Sequence, residues 1–244
     1  MLPDKPWKLE SLLRLLVGIF ACVCIGSLLA LLVRGAGAAS QPPSVWRVLA
    51  GVVCFQGATV FLVWRFVREH EMTCAIAFGV RNGPKQALVF GAVFAVLFLP
   101  IAHALQSLSG LFLLRFEFNP VSQQSVRAIG NATAWHEIAA FAFATIVLAP
   151  LAEELLFRGV LYPAVKRAGF PRLALWGTSA LFALIHFNLA TALPLFAFAL
   201  LLATLYEKTG NLAAPFATHS LFNAVNLAAL YLQPEFQRKL FPHS

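Results

Sequence analysis

Three short clusters in the second half of the chain hold residue types that move protons or stabilise charge. The first is Glu153-Glu154-Leu155-Leu156-Phe157-Arg158. On a helix Glu154 and Arg158 stand four apart and share a face, so their pairing lowers the cost of both charges. Glu153 is turned about 100° from that face and has no partner in its own segment. A lone, desolvated carboxylate is the kind of group that serves as a general base near neutral pH. The second cluster is Phe182-Ala183-Leu184-Ile185-His186, with Phe and His four apart. A histidine on an apolar helix serves equally as a hydrogen-bonded packing residue, and Phe182 is a packing residue rather than a reacting one. The third is His219-Ser220-Leu221-Phe222-Asn223. His219 and Asn223 point into the same space, either as a polar clasp between membrane helices or as donors toward a developing negative charge.

These groups lie in long apolar runs, where ionisable side chains are costly and face the protein interior. The runs are Leu15 to Val33, Val45 to Val67, Gln86 to Leu108, Trp135 to beyond Val160, Arg172 to Phe187, Ala190 to Tyr206, and Gly210 to about Leu232. Each is long enough, or nearly so, to cross a hydrocarbon layer of about 30 Å. Pro100 and Pro150 sit inside two of them, where a missing N–H kinks or loosens a helix. At a rise of 1.5 Å per residue, Glu153 lies roughly 24 Å along its helix, His186 about 20 Å along the next and His219 about 13 Å along the last. A carboxylate, two imidazoles and a carboxamide can therefore line one buried cavity.

The composition demands this reading. Hydrophobic residues make up 60 % of the 244 and charged residues only 11 %, against about 25 % charged in soluble domains. The expectation is an all-α, polytopic transmembrane bundle of about seven or eight helices. It divides into helices and a long polar loop over 1–134, a helical core over 135–232 and a polar tail over 233–244. The polar stretch from Ser109 to Ala134 reads as a long interfacial loop, and Asn131-Ala132-Thr133 within it fits a glycosylation sequon that a bacterial protein does not use. The net charge of +8 is no nucleic-acid signal, because the basic residues sit singly in loops and at span ends. Their loop asymmetry places the N-terminus in the cytoplasm, and the basic loops and short tail suit a bacterial inner membrane. Lys5, Lys8 and Arg14 before the first run, and Gly35 to Ala39 after it, resemble a cleavable leader. The run is longer than the usual apolar region of about 7–15 residues, which favours an uncleaved span. Cys22, Cys24, Cys54 and Cys74 form no Cys-x-x-Cys pair and read as small apolar packing residues. His103 and Gln106 are weaker candidates for the cavity wall, and His136 and Glu137 sit at a span entry.

Glu-Glu-x-x-x-Arg, then Phe-x-x-x-His, then His-x-x-x-Asn, in that order, resembles the CAAX-protease and bacteriocin-processing (CPBP, or Abi) family of intramembrane proteases, related to the type II CAAX prenyl endopeptidases. The resemblance covers residues 135 to 232. It implies an endopeptidase that hydrolyses a peptide bond of a membrane-associated or lipidated peptide, with the bilayer and a peptide substrate as partners. Glu153 would activate a water, His186 would hold it, His219 and Asn223 would stabilise the oxyanion or bind a metal, and Glu154 and Arg158 would shape the site. Glu153, His186 and His219 are compatible with a zinc set, although the His-Glu-x-x-His helix of soluble metalloproteases is absent. A metal-free glutamate mechanism uses the same residues. Two other classes use such residues too. One is a transporter, which would show inverted repeats that are not found here. The other is a non-catalytic immunity or scaffold partner, a role that some family members have.

Overall fold

The computed structural model describes residues 5–34, 45–117, 132 and 134–233, and within them every regular element is a helix. In chain order these are α1 (Leu9–Arg34), α2 (Val45–Glu69), α3 (Cys74–Ala77), α4 (Pro84–Arg115), α5 (Trp135–Arg167), α6 (Pro171–Leu184), α7 (Leu189–Thr209) and α8 (Ala213–Tyr231). The all-α bundle expected from composition is the one observed. Five of the eight, α1, α2, α4, α5 and α7, are long and apolar enough to cross a membrane. Asn131 and Thr133 of the glycosylation sequon, the stretch after α1, most of the long polar loop and nearly all of the tail lie outside the described residues.

Boundaries differ from the sequence reading where turn chemistry intervenes. Helix α4 continues through Ser109 to Arg115, so the polar stretch begins in a helix. Ser109 keeps its place there by donating its hydroxyl to the Leu189 carbonyl, at 3.2 Å. Helix α6 is only 14 residues long and ends before His186. Phe187 adopts a left-handed φ of 47°, which breaks the helix, and Asn188 caps α7 by accepting the N–H groups of Ala190 and Thr191.

Helix α5 runs through the middle of the bundle and touches α2, α6, α7 and α8. Its two prolines shape it. Before Pro150 the Ala149 N–H reaches back five residues to the Ala144 carbonyl, and before Pro163 the Tyr162 N–H reaches back five to Phe157. Each is a wide, π-type turn, a feature that tends to mark functional sites. The segment between them, Ala149–Glu154, carries both glutamates. Small residues bring α4 and α8 together: a Cβ at Gly91 would lie 2.5 Å from the Ala214 carbonyl. Thr218 donates its hydroxyl to the Gly91 carbonyl at 3.0 Å. Such close, small-residue contacts drive helix association where lipid gives no hydrophobic gain.

The N-terminal segment is tied to the other end of α5. The Trp7 indole N–H donates to the Gly159 carbonyl at 3.2 Å, a carbonyl that would face the N–H-less Pro163 in a regular ladder. Arg167 donates to the Lys5 carbonyl at 2.7 Å, and Trp7 packs on Phe66 and His70. The four cysteines are free, with Cys22, Cys24 and Cys54 exposed on α1 and α2 and Cys74 half-buried.

Candidate active site

The site forms where α5, α6, α7 and α8 meet, and its centre is a buried ion pair. Arg158 Nη1 donates to Glu154 Oε1 at 2.9 Å, with both side chains almost fully buried. A second guanidinium N–H, on Nη2, donates to the Ala199 carbonyl of α7 at 3.1 Å. The guanidinium carbon also lies 4.6 Å from the Phe182 ring centroid, a favourable cation–π placement. Glu154 Oε2 is buried without a hydrogen-bond partner. A charge pair out of water holds only when nearly all its hydrogen-bonding capacity is met, so this arrangement binds three helices to one geometry.

His219 of α8 adds to the pair. Its Nδ1 lies 2.8 Å from Glu154 Oε1. A carboxylate that already accepts from Arg158 accepts here too, so Nδ1 carries the proton. The far nitrogen, Nε2, is 3.8 Å from Glu153 Oε2. That is too long for a hydrogen bond and leaves Glu153 beside the imidazole without being held by it. Phe198 stands edge-on to the imidazole at 5.4 Å, and Phe182 stands near it at 5.9 Å. Two rings thus fix the orientation that the Glu154 contact selects.

The two neighbouring carboxylates therefore differ sharply. Glu154 is 0 % exposed and held, whereas the Glu153 side chain is 18 % exposed. Glu153 makes no hydrogen bond among the described residues.

Asn223, one turn after His219, is positioned by the first wide turn of α5. In a regular α-ladder the Thr145 carbonyl would receive the Ala149 N–H, but that donor goes to Ala144. In a π-ladder it would receive the N–H of residue 150, a proline. The orphaned carbonyl instead accepts Asn223 Nδ2 at 2.9 Å. One of the two N–H groups of the amide is thereby spent.

His186 sits in the turn after α6, half-buried. Its Nδ1 is 2.7 Å from the Phe182 carbonyl. A carbonyl only accepts, so Nδ1 donates and the neutral ring presents its lone pair at Nε2. The Phe182 ring packs against the imidazole at 4.9 Å. His186 thus reaches the site through Phe182 and has no direct contact with either glutamate or with His219. Among the described residues no three His, Cys, Asp or Glu side chains gather closely enough to hold a metal ion. Glu153, His186 and His219 are not drawn into one ligand set.

Sequence reasoning named Glu153, Glu154, Arg158, His186, His219 and Asn223. It missed the Thr145 and Ala199 carbonyls and the Phe198 ring. Pro150, five residues after Thr145, was the available signal for the first. No local pattern announces the other two. His103 is exposed and Gln106 half-buried, and neither has a polar contact in this cluster. His136 stacks on Trp46 at 5.6 Å, away from the site.

Residues 135–225 match the family model described as type II CAAX prenyl endopeptidase Rce1-like. An uncharacterised protein of Bacillus subtilis (strain 168), YpbD, is 39 % identical over 87 residues, 34 % of this chain and 41 % of its own length. The chain thus matches less than half the length of that curated relative. No solved structure matches it.

Proposed function

We propose, from the match of residues 135–225 to the type II CAAX prenyl endopeptidase Rce1-like family model, that the chain is an intramembrane endopeptidase in which Glu153 activates the attacking water. The observation that carries this reading is the unequal pair of carboxylates around His219, one buried and locked by Arg158 and one partly exposed. Catalysis by a carboxylate requires a group in reach of water and not already neutralised by a fixed partner. Glu153 meets that requirement and Glu154 does not.

In this mechanism the Glu153 carboxylate accepts a proton from a water as the water oxygen bonds to the scissile carbonyl carbon. The carbonyl π-electrons move to oxygen, and the remaining Asn223 N–H supports the resulting oxyanion, joined by Nε2–H when the His219 ring is protonated. Preorganised donors of this kind stabilise a transition state by several kcal/mol in water-poor sites. Glu153 then returns its proton to the leaving amine as the carbon–nitrogen bond breaks. His186, the water-holding residue that the family resemblance implies, touches Phe182 rather than Glu153 in this geometry and acts here by positioning that ring. Glu154 and Arg158 touch no reacting atom and are positioning residues. The substrate is a membrane-associated or lipidated peptide whose scissile bond reaches the depth of Glu153.

The test is cleavage of fluorogenic lipopeptides and transmembrane peptides by the purified protein, by Glu153→Gln and by His219→Ala. Cleavage by the wild type that both substitutions abolish supports the reading. A Glu153→Gln variant that cleaves normally removes the glutamate mechanism. A chelator arm assigns or removes zinc: loss of cleavage that zinc restores would assign a metal that the described donors do not gather.

A further inference from the structure

On the face of α5 turned away from the carboxylates lies a cavity of about 620 Å³, within the range of small-molecule sites. Its walls are Gly57 and Trp64 of α2, Leu148, Leu151 and Leu155 of α5, and Phe216 of α8, together with apolar residues between them. Cys74 and Val80, in the connection between α2 and α4, line the end beside Trp64. No charged side chain lines it. Two α5 residues on this wall, Leu148 and Leu155, sit in the two wide turns that bracket Glu153 and Glu154.

We propose that this groove binds one acyl chain of an anionic phospholipid from the surrounding leaflet. Three observations point to that occupant. The groove is apolar yet open sideways, with Phe61 54 % and Trp64 48 % exposed at its rim. A lining of this kind suits a hydrocarbon chain and no polar metabolite. It is also elongated: both Gly57 to Trp64 and Leu148 to Leu155 are seven-residue steps, about 10 Å along each helix. That length runs from the depth of a rim tryptophan, a residue favoured at the membrane interface, into the hydrocarbon.

The third observation is the charge at the mouth. Arg65 follows Trp64, Arg68 lies one turn further on the Trp64 face, and Arg81 follows Val80; all three are exposed. None makes an ion pair among the described residues. Lys85 adds a fourth positive charge on this side. The acidic residues of the same turn are Glu69, 3.5 Å from Arg14, and Glu71. Exposed arginines close in sequence to the residues that line an apolar slot complement a phosphate with a tail in the slot. Gly57 forms the deep end: a Cβ there meets nothing within 4 Å, so the space is open rather than filled by a neighbour. The inference rests on the membrane setting of the helices and not on the protease reading.

Trp64 is a built-in reporter. The full-length protein is reconstituted with phosphatidylglycerol carrying brominated chains, or with phosphatidylcholine carrying the same chains. The Trp64 signal is the fluorescence difference between wild type and Trp64→Phe. The expected result is saturating quenching at a phosphatidylglycerol mole fraction about tenfold below that of phosphatidylcholine. Gly57→Leu, which fills the slot, abolishes the saturating phase. Arg65→Gln with Arg68→Gln and Arg81→Gln removes the headgroup preference but leaves the interior untouched, so it tests the site even if Gly57→Leu fails to fold. Soluble glycerol phosphate does not compete. Quenching proportional to mole fraction and equal for both lipids would mean a general lipid-facing surface and overturns the proposal. Competition by glycerol phosphate alone would mean a loop anion site and overturns it as well. Absence of quenching by either lipid would mean a groove covered by another chain, with the same consequence.

Discussion

Helices α1 and α7 make an instructive pair. Their membrane-crossing stretches are both 21 residues long and similarly apolar, yet 6 % of the α1 window is buried inside the bundle against 44 % for α7. In water such a difference would show in the sequence as an apolar stripe against a polar face. In a bilayer it does not, because lipid tails are as apolar as leucine and impose no pattern. Burial of α7 is specified by other means. Its Ala199 carbonyl accepts Arg158, its Phe198 ring packs on His219 and Phe222, and its Glu207 binds Tyr162 and Lys166 of α5. Helix α1 has one buried seam, Ser11, Leu15 and Ile19, flanked by the half-buried Leu12 and Leu16, and leaves its other face exposed. Interior position in this molecule is set by polar anchors and small contacts, not by hydrophobicity.

The sharpest way to break that comparison is to strip α7 of its anchor. Arg158→Met should destabilise the protein by about 3–5 kcal/mol, because Glu154 is left as an uncompensated buried charge. Thermal unfolding in detergent would show it, and a variant that melts like the wild type would remove the ion pair from the account of the core. Glu153→Gln should behave oppositely. Its melting temperature should stay close to wild type, while peptide cleavage falls by about 10²- to 10⁴-fold, the usual contribution of a general base. A large loss of stability with it would mean that the two carboxylates share one structural role.

A smaller effect distinguishes cross-helix from local hydrogen bonds. Asn223→Ala leaves the Thr145 carbonyl without a donor and should cost about 1–3 kcal/mol. Asn226, whose amide donates to Phe222 in its own helix, should tolerate alanine within about 0.5 kcal/mol. Equal costs at the two positions would argue against the orphaned carbonyl as an anchor. Least of all should come from α1: Phe20, 69 % exposed, replaced by leucine should shift unfolding by no more than about 0.5 kcal/mol. A larger loss there would mean that α1 is covered in the working assembly.

Much of the site was legible beforehand because helical spacing is rigid. Glu154 and Arg158, or His219 and Asn223, four apart, must share a face on any helix, and the structure pairs the former two and aligns the latter. His186 was read as part of a helix and is instead in the turn behind it, since Phe187 turns left-handed and Asn188 opens the next helix. The Thr145–Asn223 bond joins residues 78 apart. It depends on a proline whose consequence is visible only once the wide turn has formed.

The sequence by itself determined the helical class, the membrane setting and the facing of each motif, because composition and the 3.6-residue period act locally and need no partner. The four-residue step to Arg158 already singles out Glu154 over Glu153, but only tertiary structure decided how firmly it is held. His219 reaches Glu154 from α8 and the Ala199 carbonyl of α7 holds Arg158 in place, while Glu153 stays partly exposed. Tertiary structure also decided that the back of the same helix borders an apolar slot, since a cavity is the shape left between helices and is written in none of them singly.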